Sequence, residues 1–358
     1  MSASQPGLLR RFFRGIWRFV DVSRRVVLNL VFLAIIAFLV FGLIRSGPPL
    51  LSEKTALVLN LDGSVGEQKT GNLRSTALDQ VRGDTTQKVQ LRDVVAVLDA
   101  AAADAKITGL VLILDDLQPT GFTTLREIAA AVDRFRASGK KAVAWGSSFD
   151  QRQYYLAAHA DEVYLHPLGS IMIDGFGSLR NYYKDALDKL GVTVNLLRVG
   201  TYKSYGEPFI ANAPSAAAIE AETALNESLW KTYTDDVEKR RKLAPGSIMR
   251  GIDDAPARVA AAGGDLAKFA LAEKLVDGLK TRDELRTLMI QRGAPDSEEK
   301  TFRQVSFDEY LGRLKPQLTG DAIGVVVAEG EIVDGAAPAG TIGGLSTANL
   351  IRKARDNK

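Results

Sequence analysis

Gly109-Leu-Val-Leu-Ile-Leu114 is apolar at every position that carries a side chain. A strand with one wet face would alternate, so an unbroken apolar run reads as a strand of a parallel sheet covered on both faces. Upstream, Leu91 to Ala105 has helical apolar spacing and Ala56 to Leu61 (ALVLNL) is another apolar strand. Downstream, Thr124-Leu-Arg-Glu127 is a capping-box pattern that opens a helix running to Ala137, and Gly139 ends it. The alternation continues with a strand at Ala142 to Trp145, a helix at Arg152 to Ala158 and a strand at Glu162 to Leu165. A helix at Tyr182 to Leu190 and a strand at Val194 to Val199 complete it. Strands separated by helices predict an α/β fold built on a mostly parallel sheet.

This is not a dinucleotide or nucleotide fold. Asp62-Gly-Ser-Val-Gly66 follows the first strand, with no helical pattern until about residue 91, so the Rossmann fingerprint lacks its helix. No P-loop and no G-x-S-x-G is present. Further on, a long charged amphipathic helix is expected over Ser215 to Lys242, with Ser215 as its cap, then helices at Asp265 to Lys274 and Arg282 to Arg292 and a charged loop at Asp296 to Lys300.

The 358 residues are 46% hydrophobic and 25% charged, a globular balance. Net charge is +3, but Arg10, Arg11, Arg14, Arg18, Arg24 and Arg25 cluster at the start, and the remainder gives no case for nucleic acid as a partner. With no cysteine and only His159 and His166, thiolate catalysis, disulfides and zinc-thiolate sites are excluded, and no metal or cofactor is expected.

Residues 1–25 form a basic leader, and Val26 to Ile44 is an uncharged apolar run long enough, at roughly 28 Å as a helix, to span a bilayer. The arginine excess before the run predicts a single-pass helix with its N-terminus in the cytoplasm. Residues 45–54, with Pro48 and Pro49, are a linker. Phe12, Phe13, Ile16, Trp17 and Phe19 alternate with arginines and suggest a short interfacial helix. Residues 55–320 are then the first α/β domain with a helical extension.

Residues 321–358 repeat its start. Leu57 to Val65 (LVLNLDGSV) matches Gly324 to Ile332 (GVVVAEGEI), and Leu98 to Lys106 (LDAAAADAK) matches Leu350 to Lys358 (LIRKARDNK), in the same order. This predicts a tandem duplication whose second copy is cut short, and a natural protein longer by roughly 200 residues.

Gly200-Thr-Tyr-Lys-Ser-Tyr-Gly-Glu-Pro-Phe209 places Lys203 in a loop after an expected strand, where open α/β sheets build sites. A free lysine, with pKa about 10.4, is almost wholly protonated near neutral pH, and burial favours the neutral amine a general base needs. Tyr202, Tyr205, Pro208 and Phe209 are the expected apolar surroundings, and Ser204 or Thr201 an orienting hydroxyl. Ser147 and Ser148 are alternative nucleophiles within the chain, though neither has flanking glycines for an oxyanion hole. Glu207 reads as a local capping or pairing group, and His159 and His166 as structural residues.

The string Arg198 to Phe209, with Gln153-Tyr-Tyr-Leu-Ala-Ala158, Asp188-Lys-Leu-Gly-Val192 and Leu275-Val-Asp-Gly278, resembles the long, tandem-domain signal peptide peptidases of the S49 serine-peptidase family. The resemblance implies a ClpP/crotonase-like spiral α/β fold and a Ser–Lys dyad, with Lys203 as general base and the serine in the second copy, beyond residue 358. Where the first copy would carry a serine stands Gln151, and the loop matching the oxyanion glycines, Asp115 to Gly121, lacks the glycine pair. It further implies a homo-oligomer (a tetramer) in the bacterial inner membrane with a periplasmic catalytic domain, acting on cleaved signal peptides or other hydrophobic peptides. The alternative is a non-catalytic membrane scaffold of the same fold; a crotonase-type acyl-CoA enzyme is a more distant one.

Overall fold

The computed structural model describes residues 8–45, 51–68, 88–296, 300–314 and 323–356, and divides into two compact units, residues 1–50 and 51–358. The first contains one helix, α1 (Leu8–Arg45), of 38 residues. The interfacial helix expected around Phe12 to Phe19 is not a separate element. No proline interrupts the sequence from Leu8 to Arg45, so nothing removes a backbone donor and the helix runs through. Asp21 pairs with Arg24 (3.1 Å) and Arg25 (2.7 Å) one turn on. Among the described residues no helix is long and apolar enough to cross a membrane. Of the expected span Val26 to Ile44, side chains are described only as far as residue 38. Residues 46–50 of the linker lie outside the described residues.

The second unit is built on a parallel sheet. β1 (Thr55–Asn60), β4 (Ile107–Ile113), β5 (Lys141–Gly146) and β6 (Glu162–Leu165) lie side by side in chain order. β10 (Gln304–Ser306) closes the edge beside β1, and β7 (Gly278–Leu279) the edge beside β6, every pairing parallel. The runs in β1, β4 and β5 have buried residues on both faces, while β6 buries Val163 and Leu165 on one face and leaves Glu162 and Tyr164 half-buried on the other. Leu57, Leu59, Leu110 and Leu112 pack to one side with helices α2 (Leu91–Ala103), α3 (Phe122–Ala137) and α4 (Gln151–Ala157). Ala56, Val111, Val143 and Trp145 point to the other, onto Leu285 and Met289 of α10 (Arg282–Arg292) and Phe302. The alternation within continuous apolar strands is the period of two expected of a sheet covered twice.

Between β6 and β7 the chain leaves the sheet. It forms α5 (Lys184–Lys189), a 3₁₀ turn at Glu207–Phe209, α6 (Ala216–Arg240), α7 (Ser247–Asp253), α8 (Ala255–Ala261) and α9 (Leu266–Ala272). Ser215 caps α6 by accepting from the Ala218 N–H, as its position predicted, and Asp265 caps α9. The strand expected at Val194 to Val199 does not form. That stretch is irregular, with Leu197 97% and Val199 88% exposed. No pairing among the described residues includes this stretch, and a strand without a neighbour leaves its backbone groups unpaired. The expected loop at Asp296 to Lys300 is part of a small antiparallel pairing of β8 (Pro295–Asp296) with β9 (Thr301–Phe302); residues 297–299 lie outside the described residues.

Two small parallel pairs have the same form. β2 (Val65–Gly66) pairs with β3 (Val89–Gln90), and α2 starts at the next residue. β11 (Glu331–Val333) pairs with β12 (Thr341–Gly343), and α11 (Gly344–Asp356) starts at the next residue. Both helices have 13 residues. A Cβ at Gly330 would sit 2.0 Å from the Gly340 carbonyl oxygen, so this crossing of backbones requires glycine. Lys88, ahead of β3, pairs with Glu329, ahead of β11, at 2.8 Å. The run Gly324 to Ala328, matched in sequence to β1, forms no strand.

Candidate active site

The Lys203 loop is held by a chain of polar contacts that begins at a carboxylate covered by neighbouring residues. Glu207, 3% exposed, is the buried end. Its carboxylate accepts from Arg198 Nη1 (2.9 Å), from the Ser215 N–H (3.1 Å) and from the Ser215 hydroxyl (2.7 Å). The Arg198 hydrogen bond above all, with the two Ser215 donors, pulls the carboxyl down to about 2. A carboxylate with that many donors stays ionised and cannot act as a general acid near neutral pH. Its sequence reading as a local pairing group therefore holds. Arg198 Nη1 also donates to the Lys203 carbonyl (3.0 Å), so the buried carboxylate fixes the lysine's backbone through one guanidinium.

The loop backbone requires one glycine. Gly200 has φ of 110°, a region that favours glycine. A Cβ at Gly206 would lie 2.6 Å from Leu196 Cδ1. Pro208 is buried and its carbonyl accepts from the Tyr183 N–H (2.7 Å), while Phe209 stacks on Tyr183. Tyr202 reaches Glu220 of α6 at 3.4 Å.

The apolar surroundings expected for the lysine are not those observed. Lys203 is exposed, as are Tyr202 (56%), Tyr205 (83%) and Phe209 (44%). The cause is the missing strand: residues 192–199 have no sheet to lie against, so the loop that follows is not carried under cover. Neither Ser204 nor Thr201 is hydrogen-bonded to the lysine side chain among the described contacts.

The alternative nucleophiles are engaged elsewhere. Ser147 donates its hydroxyl to Asp115 Oδ1 (2.9 Å), which also accepts the Ser147 N–H. A hydroxyl held by a carboxylate in this way has no lysine to take its proton. Ser148 Oγ accepts from the Ser170 N–H (3.1 Å). His159 is buried against Asp133, with Nδ1 3.2 Å from Oδ2, and His166 Nδ1 accepts from the Leu168 N–H. Both are local structural contacts.

Gln151 opens α4. Asp150 caps that helix in a full capping box with Gln153. The Gln151 amide oxygen accepts from the N–H groups of Asp174 (3.0 Å) and Gly175 (2.7 Å), and its nitrogen donates to the Gly175 carbonyl (3.0 Å). The side chain is a backbone-like bracket for residues 174–175. Nothing in the sequence signalled this bracket or the two-way bond of Arg198, because each joins residues whose proximity only the fold creates. Among the described residues no cluster of His, Asp and Glu has the geometry to hold a metal ion.

The model of peptidase family S49 matches residues 134–294, which include α4, the Lys203 loop and α10. Protease 4 of Salmonella typhi is 35% identical over 96% of this chain and 57% of its own length. Protease 4 of Haemophilus influenzae is 33% identical over 95% of the chain and 57% of its own length. The chain thus spans little more than half the length of these relatives. A solved serine-to-alanine mutant of the 1510-N membrane-bound stomatin-specific protease is 10% identical, covering 75% of this chain and 100% of its own, with a TM-score of 0.34.

Proposed function

Because the chain belongs to peptidase family S49, we propose that it is the part of a membrane-anchored serine peptidase that supplies the general base, Lys203. The observation that carries the reading is the Arg198–Glu207 clamp on the Lys203 backbone. An exposed loop lysine with no task has no need of a buried carboxylate to hold its carbonyl. In this reading the nucleophilic serine comes from a second copy of a ClpP/crotonase-like fold. The paired mini-sheets with their following 13-residue helices support a duplication. The second copy covers Lys203, replaces the solvent around it and raises its share of neutral amine. The amine takes the serine proton as the hydroxyl attacks the peptide carbonyl, then passes it to the departing amine.

The exposed apolar side chains Leu179, Leu197 and Val199 support assembly into a homo-oligomer. The uncharged run Val26 to Ile44 within α1 supports a membrane anchor, N-terminus in the cytoplasm and the α/β unit periplasmic. Substrates are hydrophobic peptides such as cleaved signal peptides, which reach an anchored enzyme by diffusing in the bilayer.

A second reading, a non-catalytic scaffold of the same fold, is favoured by the exposure of Lys203. Cleavage of an apolar signal-peptide fragment by the intact gene product separates the two. The peptidase reading expects turnover that Lys203→Ala abolishes. Absence of turnover in the intact protein, or turnover unchanged by the substitution, supports the scaffold.

A further inference from the structure

A cavity of about 290 Å³ opens among helices α7, α8 and α9, and no residue of the Lys203 loop lines it. The chain that leaves β6 forms its other wall, at Ile171, Met172 and Ile173. Ile248 and Gly251 are buried, whereas Met172 (54%), Ile252 (39%) and Leu266 (43%) are exposed at the mouth. The apolar lining can therefore be reached from solvent. The volume is nearly twice the roughly 150 Å³ of an apolar cavity that takes up benzene.

The wall after β6 is fixed before anything enters. The Phe149 N–H donates to the Ser170 carbonyl (2.9 Å), and the Phe149 carbonyl accepts from the Met172 N–H (2.9 Å). The Gln151 bracket holds the next turn of chain at Asp174 and Gly175. On the opposite side, Gly251 leaves space unfilled. It lies within α7, outside the left-handed region, and a Cβ there would meet nothing closer than Glu273 Oε2 at 3.8 Å. Alanine would fit that space and suit a helix interior better. Neither the backbone nor crowding requires the glycine; its effect is to keep the lining open.

The lining offers a ligand mainly hydrocarbon. Its polar side chains are Ser247 and Glu273, and both are engaged. The Ser247 hydroxyl donates to the Ala244 carbonyl and accepts from Arg250 (3.2 Å). Glu273 accepts from Arg258 (2.7 Å), which also holds Asp254 (3.0 Å). The one charge in the lining is thus a carboxylate, which repels the carboxylate of a fatty acid or the phosphate of a lipid. An uncharged chain is the complement. Phe269 is the only ring among the described lining residues, so an aromatic guest finds little to stack on.

We propose that this cavity is a non-catalytic anchoring site for an aliphatic side chain of an apolar peptide, seated between α7 and the wall at Ile171 to Ile173. An exposed mouth suits a side chain presented by a peptide, and the lining asks for no hydrogen bond in return. The choice of a peptide over another uncharged chain rests on the peptidase reading. The affinity for aliphatic groups does not, because no residue of the Lys203 loop takes part.

The test is NMR of methyl-labelled methionine in the full chain, held in phosphatidylcholine nanodiscs and titrated with N-acetyl-leucinamide and N-acetyl-asparaginamide. Met172 lines the cavity; Met249, exposed on α7, and Met289, buried in the other apolar cluster, do not and serve as references. The Met172 methyl should shift saturably, with the leucine compound preferred at least about 10-fold, as expected for burying a leucine side chain. Gly251→Leu, which fills the cavity, and Ile252→Asp, which charges its exposed rim, should each abolish the shift in protein shown by circular dichroism to be folded. The readout is binding, so its failure and a failure of Lys203 to support turnover are separate results. Absence of a saturable shift, equal response to the two compounds, or a shift that survives both substitutions in folded protein would overturn the proposal. So would a lipid acyl chain in the cavity, seen as cross-relaxation to Met172 that leucinamide does not displace, or a second copy of the chain, seen as a Met172 shift that grows with protein concentration and blocks leucinamide.

Discussion

Arg198 and Glu207 lie 2.9 Å apart, and the guanidinium nitrogen that binds the carboxylate also binds the carbonyl of Lys203. The pair sets where the lysine's backbone sits. Arg198→Ala is expected to lower kcat of the intact peptidase about 10- to 100-fold with little change in KM, the size of effect that a misplacement near 1 Å produces. Steady-state kinetics on a peptide substrate check this; an unchanged kcat would remove Arg198 from any positioning role.

The same carboxylate makes stability depend on acid. Its folded pKa, about 2, lies below the ordinary value of 4.5. Its contribution is therefore present in full above about pH 4.5 and is lost as pH falls toward 2. The gap in thermal midpoint between the wild type and Glu207→Gln should be widest at pH 5 and above and should close between pH 4.5 and 2. A gap independent of pH would mean that the carboxylate's charge plays no part.

Asp150 holds the first turn of α4 by accepting from the N–H groups of Arg152 and Gln153. Asp150→Ala should cost about 1–2 kcal/mol, or roughly 2–4 °C of thermal midpoint for each kcal/mol in a unit this large. Asp150→Ser, which keeps a capping oxygen, should recover most of the loss in a melting experiment.

Much of the sheet was legible because β1, β4, β5 and β6 each contain a continuous apolar run. β7 is Gly278–Leu279 and β10 is Gln304–Ser306; such short edge strands carry no pattern, and only pairing defines them. Val194 to Val199 shows the opposite failure. An apolar pattern records the burial that a segment can accept, and here the chain offers it no adjacent strand. The role proposed for Lys203 rests on the string around it. Its holder Arg198 was in plain view five residues earlier, but a side chain that binds a carbonyl and a carboxylate at once leaves no mark in spacing.

The anchor proposed in α1 has its own test. With residues 1–45 present, the intact protein should stay with membranes through alkaline carbonate extraction; without them, the unit from Leu51 should pass to the soluble fraction. Extraction of the intact protein by carbonate would contradict the anchor and leave the α/β unit's chemistry untouched.

The most direct test of the central claim is labelling of the intact gene product with a fluorophosphonate, which reacts with a serine only when a base activates it. The account predicts labelling at one serine in the wild-type protein and its loss in Lys203→Ala, with folding verified by circular dichroism. Labelling of Lys203→Ala at the wild-type rate would contradict the assignment of Lys203 as the general base.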